Sequence, residues 1–377
     1  MGDDPNFPAN LAIAPSTRAV LGPVALVDDD LPFEDDAAQD VERFGIAGRT
    51  WEAAYLARSY LALSTSASRP SSSPPLLIFD PPCPLLSDPP LSPNRPAPTP
   101  RRKRTILELG AGTGFLSLAV APHLSPSTTR LVVTDLHNVC PLLNENLGAA
   151  QARWAARGVE AAEVLVRPLP WGDAPALEAL GEGGLMPDLV LASDLVYFPV
   201  LHAPLLRTLL GLTEPRRASG AGDEDVDDER GQIGATSPKV VFSYKVRSLV
   251  KEQPFWEAFG RWFDFEPVQL GTRRPPSPAP STADLPDPTA PSSSSSSSPA
   301  STLSWTRLGA SHPSSTTPGT TDELYVFVCA RRTETYGFDG QGVSDSELLE
   351  GRGERARGVE AGAARFEEMM LAGLEWD

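Results

Sequence analysis

Residues 105–114 read Thr-Ile-Leu-Glu-Leu-Gly-Ala-Gly-Thr-Gly, and an apolar segment follows to Ala121. A run of β-forming residues that ends in closely spaced glycines and then turns helical describes the strand, tight turn and helix of a nucleotide-binding unit. There the missing Cβ lets backbone approach a ligand. A dinucleotide fingerprint starting at Gly110 continues with Gly112 but requires a further glycine where Phe115 stands, which weakens an NAD or FAD reading. What the chain offers instead is Glu108, at the strand tip just ahead of Gly110. A carboxylate in that position repels a pyrophosphate and attracts a cation. A nucleoside that carries both an ammonium and a sulfonium, S-adenosylmethionine, matches those charges.

Asp135 closes the next apolar strand, Leu-Val-Val-Thr-Asp at residues 131–135, some 20 positions after the glycine turn. From there a carboxylate can accept hydrogen bonds from ribose hydroxyls. NAD folds use the same device, so Asp135 reads as a ribose anchor without choosing the nucleotide. Further along, Leu-Pro-Trp-Gly-Asp at residues 169–173 follows a strand at about 162–167. Trp171 is thereby placed on a loop at the carboxyl edge of the sheet, where it can stack on adenine or close the core beside Pro170. Asp194 and Tyr197 follow the apolar strand 188–193 at the same edge. They are candidates to meet the substrate beside the transferred group, or else a cap and a packing tyrosine. Ahead of all these, Trp51, Ala54, Tyr55, Arg58 and Ala62 share one stripe of a helix over residues 51–63 with Thr50 as its N-cap, and periodicity alone reads Trp51 as core.

The elements that must position these residues alternate strand and helix: helix 139–156, strand 162–167, strand 188–193, helix 200–212, strand 239–244, helix 254–262, strand 265–270 and strand 323–331. Seven strands, the last two joined without a helix, predict an α/β Rossmann-like sheet, mostly parallel with one antiparallel edge strand in a terminal hairpin. The chain has 377 residues, but its 40 prolines and its serines gather in tracts. We therefore expect an N-terminal arm (1–40), one domain (41–332) carrying disordered insertions at 64–104, 213–237 and 272–321, and a tail (333–377) outside the core with a charged helix around 344–374. Val24 to Val27 reads as an edge strand or part of the arm, and the basic run 101–104 as a localisation signal, a docking patch or a solvated linker end.

The formal net charge of -17 disfavours attraction to nucleic acid or anionic lipid and makes a basic protein substrate the easier partner. Cys83, Cys140 and Cys329 show no paired spacing, and the four histidines are scattered, so neither a disulfide framework nor a metal site is expected. The N-terminus lacks a secretory pattern, and charges interrupt the apolar stretches, so a soluble monomer of the cytosol, with nuclear presence allowed, is expected.

Taken together, Gly48-Arg49-Thr50-Trp51-Glu52-Ala53-Ala54, the Leu107–Gly114 motif, Val133-Thr134-Asp135-Leu136, Leu169-Pro170-Trp171-Gly172 and Leu191-Ala192-Ser193-Asp194-Leu195-Val196-Tyr197 resemble the family-16 seven-β-strand protein-lysine methyltransferases. The resemblance covers about residues 41–270 and 322–332, outside the insertions. It implies that Trp51 contacts the methionine end of S-adenosylmethionine, that Glu108, Gly110 and Gly112 hold the cofactor at the strand tip, and that Asp135 holds its ribose. Trp171 would lie against adenine, Ala192 would add a backbone contact, and Asp194 and Tyr197 would shape the lysine channel. It further implies methyl transfer to a protein lysine, with elongation factor 1A as the expected target. Two rivals stand beside it: methylation of histidine or a small-molecule nitrogen, and a non-catalytic interaction protein on the same fold.

Overall fold

The computed structural model describes residues 13–16, 39–67, 77–86, 102–216, 237–273, 303–310 and 324–372. The chain opens with α1 (Val41–Phe44), α2 (Glu52–Ala67) and β1 (Leu77–Asp80). Five strands then alternate with helices: β2 (Arg104–Leu109), α3 (Phe115–Val120), β3 (Thr129–Asp135), α4 (Cys140–Ala156), β4 (Glu163–Pro168), α5 (Ala174–Glu182), β5 (Leu189–Ser193), α6 (Pro199–Leu212) and β6 (Lys239–Lys245). After α7 (Leu249–Trp262) come β7 (Phe263–Pro267), β8 (Gln269–Arg273), β9 (Leu303–Arg307), β10 (Leu324–Arg331), α8 (Asp345–Glu350) and α9 (Arg365–Ala372).

Seven strands form one sheet in the order β4-β3-β2-β5-β6-β10-β7. Neighbours from β4 to β6 pair in parallel, as crossover helices require, and β10 runs antiparallel to both β6 and β7. The expected antiparallel edge hairpin is therefore present, with β10 as its reversed strand and β7 outermost. Strand alternation splits the core in two: Ile106, Leu131 and Val133 face α2 and α3, whereas Leu107, Leu109 and Val132 face the α6 and α7 side. Register then fixes the site, because Leu109 pairs with Thr134 on one side and with Ala192 on the other. The next residues of each strand, Gly110, Asp135 and the Ser193-Asp194 turn, consequently emerge together at one edge.

Three expectations are corrected. The tracts 64–104 and 272–321 are not coreless throughout: β1, β8 and β9 build a three-stranded antiparallel sheet, and Cys83 is buried. Much of both tracts, the acidic run 223–229, Val24 to Val27 and Arg101 lie outside the described residues. Of the basic run, Arg102 pairs with Asp188 at 2.5 Å, Lys103 with Glu163 at 3.2 Å, and Arg104 donates to the carbonyls of Pro84 and Leu85, so these three cations are engaged within the fold. The strand expected at 265–270 is two strands, β7 and β8, that part at buried Val268 and enter different sheets.

The third correction concerns the tail. Residues beyond Arg331 pack against the α6–α7 side: Phe366 stacks on Trp256 with ring centroids 4.9 Å apart, and Phe338 stacks on Trp262 at 4.6 Å. Arg331, its side chain fully buried, donates to the carbonyls of Leu210, Thr335 and Phe338, and Arg207 reaches those of Gly340 and Val343. The tail's many charges masked the few apolar residues that dock, and the receiving tryptophans on α7 are distant in sequence. Leu348 is 0% exposed, so Leu348→Ala should cost about 2–5 kcal/mol in denaturant unfolding. A loss near zero would place the tail outside the cooperative core.

Candidate active site

The glycine turn is shaped by what surrounds it. Gly110 (φ +61°), Gly112 (φ +54°) and Gly114 (φ +74°) all occupy the left-handed region. A Cβ on Gly110 would stand 2.8 Å from Leu195 Cδ2 and 2.9 Å from Trp171 Cζ2, and one on Gly112 would meet the Ala47 carbonyl oxygen at 2.8 Å. The turn is pinned from three directions. The Ala111 amide donates to the Thr134 carbonyl, Asn146 to the Thr113 carbonyl, and the Thr113 hydroxyl lies 3.1 Å from that of Thr50. Thr50, expected as a helix cap, thus ties the entry to α2 to the glycine turn instead, and α2 begins at Glu52.

Glu108 follows Ile106 on the α2–α3 face of β2 and is 3% exposed. Gly114, the N-cap of α3, has no side chain to offer the helix's first amides, and Glu108 Oε2 accepts from the Ser117 amide at 2.9 Å in its place. Asp135 lies on the same face of β3. Its two oxygens accept from the amides of Gly112 and Leu136, each at 2.7 Å. These bonds favour the carboxylates, but burial outweighs them and pushes Glu108 up to about 7 and Asp135 up to about 6, with the Asp135 charge adding to the rise at Glu108. Two desolvated carboxylates flanking a glycine cradle accommodate a cation with ribose hydroxyls, since each oxygen keeps a further lone pair.

Both carboxylates line a single cavity of about 220 Å³, together with Trp51, Gly110, Gly112, Trp171, Asp194 and Tyr197. Eight of the nine residues singled out in the sequence are therefore brought together. The ninth, Ala192, has its side chain buried among the apolar residues of the α6–α7 side, and its neighbour Ser193 lines the cavity instead. Trp171 meets Tyr197 edge to face at 6.2 Å, held by a turn in which the Gly172 amide donates to the Thr208 hydroxyl at 2.7 Å. Trp51 donates from Nε1 to the Ile46 carbonyl and carries the guanidinium of Arg49 at 4.5 Å and that of Arg247 at 5.2 Å from its ring.

Arg247 and Arg49 carry weight that sequence reasoning missed. Arg247 grips Asp194 through both nitrogens, one contact at 2.7 Å, and lies 3.7 Å from Glu52, which also pairs with Arg49 at 2.5 Å. Burial opposes the Arg247 charge, but Asp194, Glu52 and Glu252 hold the group protonated. Asp194 sits in the left-handed region at φ 60°, a conformation aspartate tolerates, and its amide donates to the Ser243 carbonyl. Arg49 stood inside a quoted motif, and Arg247 follows the carboxyl end of β6, so position at the sheet edge was the available signal. Tyr197 is raised well above the ordinary phenol range by burial and by the charges of Asp135 and Asp194, and stays protonated through the neutral range. Among the described residues, no group of three or more His, Cys, Asp or Glu could hold a metal ion, and no helix is long and apolar enough to cross a membrane.

Gly110→Ala should push Trp171 and Leu195 out of place and weaken S-adenosylmethionine binding about tenfold or more, roughly 1.4 kcal/mol or above, in calorimetric titration. Native affinity would show the close approach to be dispensable. The raised Glu108 favours the folded state while it is protonated. That contribution is complete below its ordinary value of 4.5 and is lost as pH rises through about 7. The stability of the native protein relative to Glu108→Gln should therefore fall across that window, by at most about 1.4 kcal/mol per pH unit. A pH-independent difference would mean that Glu108 titrates normally.

A family model described as lysine methyltransferase matches residues 32–218, the stretch from ahead of α1 to just past α6. Among solved structures, the CurJ carbon methyltransferase is 20% identical with a TM-score of 0.23, covering 42% of this chain and 34% of its own, so this chain spans about a third of that protein's length. The precorrin-6y C5,15-methyltransferase of Geobacter metallireducens is 11% identical with a TM-score of 0.28, covering 72% and 87%. Neither structural likeness bears on the substrate. With the glycine turn, Asp135 and the Asp194–Tyr197 loop all inside the matched stretch, the chain belongs through it to the lysine methyltransferase family of S-adenosylmethionine-dependent enzymes.

Proposed function

We propose that the protein binds S-adenosylmethionine in this cavity and transfers its methyl group to the side-chain amine of a lysine in a protein substrate. One observation carries the reading: the glycine turn, buried Glu108, half-buried Asp135 and the Asp194–Tyr197 loop line the same cavity. When bound, the cofactor supplies an electrophilic methyl on a sulfonium. Glu108 and Asp135 complement the cation and the ribose, while Gly110 and Gly112 bring backbone against the nucleoside. Trp171 provides an aromatic wall, and Trp51 closes the side nearest α2.

The attacking lysine must arrive as a neutral amine aligned with the methyl and the sulfur. An unpaired carboxylate beside it would stabilise the ammonium and work against deprotonation. Arg247 prevents this by holding Asp194 in a two-nitrogen ion pair. Tyr197, which makes no hydrogen bond among the described residues and remains a neutral phenol, is free to orient the amine without adding charge. The apolar wall from Leu195, Leu201 and Pro204 keeps the channel poorly hydrated, which favours loss of the amine's proton before attack. Within this reading the narrower target is an elongation-factor lysine, that of elongation factor 1A, and the enzyme acts as a monomer in the cytosol or nucleus without binding nucleic acid or membrane.

The test is transfer of labelled methyl from S-adenosylmethionine to proteins in an extract of cells that lack the enzyme, followed by amino-acid analysis of the labelled band. Label on lysine that disappears with Asp135→Ala is the expected result. Label on histidine or on a small molecule would reject the lysine assignment, and binding of the cofactor without any transfer would favour a non-catalytic role.

A further inference from the structure

Five large apolar side chains stand out as exposed among the described residues: Val200, Leu249, Val250, Leu303 and Trp305. Three of them, Val200 at 77%, Leu249 at 44% and Val250 at 87%, lie in the first turns of α6 and α7. These helices follow β5 and β6 in a parallel sheet, so both N-termini stand at the carboxyl edge that bears the cavity. The helices pack together, with the His202 and Phe255 rings 5.6 Å apart, and the loops leading into them are joined by the Asp194–Arg247 pair. Val200 directly precedes Leu201, a lining residue of the cavity, and half-buried Phe198 follows Tyr197, another. The three exposed side chains thus stand at the sheet edge that bears the cavity.

Its surface lacks the acidic character of the chain as a whole. Residues 195–206 contain no Asp, Glu, Lys or Arg, and residues 245–251 read Lys-Val-Arg-Ser-Leu-Val-Lys, with three cations and no carboxylate. The next acid, Glu252, is 2% exposed and turned inward, bound to the Tyr244 hydroxyl and to the amides of Arg247 and Ser248. The first turns of two helices add the positive ends of their dipoles. Arg247 is held by Asp194, and Lys245 lies 4.0 Å from Glu52, so in a chain of net charge -17 the mouth presents apolar side chains, exposed Lys251 and the two helix ends.

We infer that the Val200, Leu249 and Val250 patch, fringed by Lys251, docks the protein segment around the target lysine, and that this segment is apolar and acidic rather than basic. The inference rests on the protein-lysine reading and narrows it. Overall charge suggests a basic partner, but the surface that a substrate must cross carries the contrary preference, because a lysine-rich segment would meet like charge there. A substrate small enough to be enclosed by the cavity would not touch Val250.

Val200→Asp and Val250→Asp test this cleanly, since both positions are exposed and an aspartate in a helix's first turn favours the helix. With labelled S-adenosylmethionine and the extract of cells lacking the enzyme, each variant should label its protein band about tenfold more slowly at limiting extract. Cofactor affinity by calorimetry should stay native. Lys251→Glu should slow labelling, and Lys251→Arg should not. Native labelling rates in both aspartate variants would overturn the docking surface while leaving the methyltransferase reading intact. Rates lowered only in step with cofactor affinity would overturn it as well. A native enzyme that binds cofactor and labels no protein would reject the protein-lysine reading and the docking surface with it.

Discussion

The structure depends on two carboxylates, buried Glu108 and half-buried Asp135, on one face of the sheet. Glu108 and Asp135 end adjacent parallel strands, flank the glycine turn, and are each satisfied by backbone amides of that turn or of the helix and strand ends beside it. Burying both without a cation is unfavourable, and their raised proton affinities record that cost. A ligand that brings positive charge to the turn relieves it. The same bonds stabilise the turn itself: Asp135 fixes the Gly112 amide, and Glu108 satisfies the first turn of α3, which has no capping side chain of its own. Ligand recognition and the local fold therefore use the same atoms.

The opposite side of the cavity uses charge differently. Asp194 is neutralised by Arg247 on the spot, and the Arg49–Glu52 pair and the Trp51 ring extend that network across the entry to α2. One side thus keeps its carboxylates open to a cation, while the other neutralises its carboxylate with arginine. Strand register brings the two sides together, because Leu109, Thr134 and Ala192 align across three strands and the functional residues come immediately after them.

Much of this was legible in the sequence. The glycine spacing, Glu108, Asp135, Trp171, Asp194 and Tyr197 could be read because each lies at the end of, or in the loop after, a strand whose apolar run is unmistakable, and parallel sheets gather strand ends at one edge. What escaped depended on distant pairing. Arg247 becomes meaningful only beside Asp194, and Thr50 only beside Thr113. β1 and β9 were hidden in Pro- and Ser-rich tracts, and β8 was merged with β7, because short strands in a small sheet carry little periodicity. The tail was misjudged because Leu348, Phe338 and Phe366 are sparse among charges, and their receptors on α7 are far away in the chain.

The most direct test of the cation site is the proton balance of S-adenosylmethionine binding. Calorimetric titrations would be run between pH 6 and pH 7 in buffers of different ionisation enthalpy, comparing the native protein with Glu108→Gln, in the range where Glu108 and Asp135 are raised. A positive ligand next to these carboxylates must lower their proton affinity, so the native protein should release more protons on binding than the variant does. Equal proton release in the two proteins, or binding with unchanged affinity in the variant, would contradict a site built on the Glu108 charge.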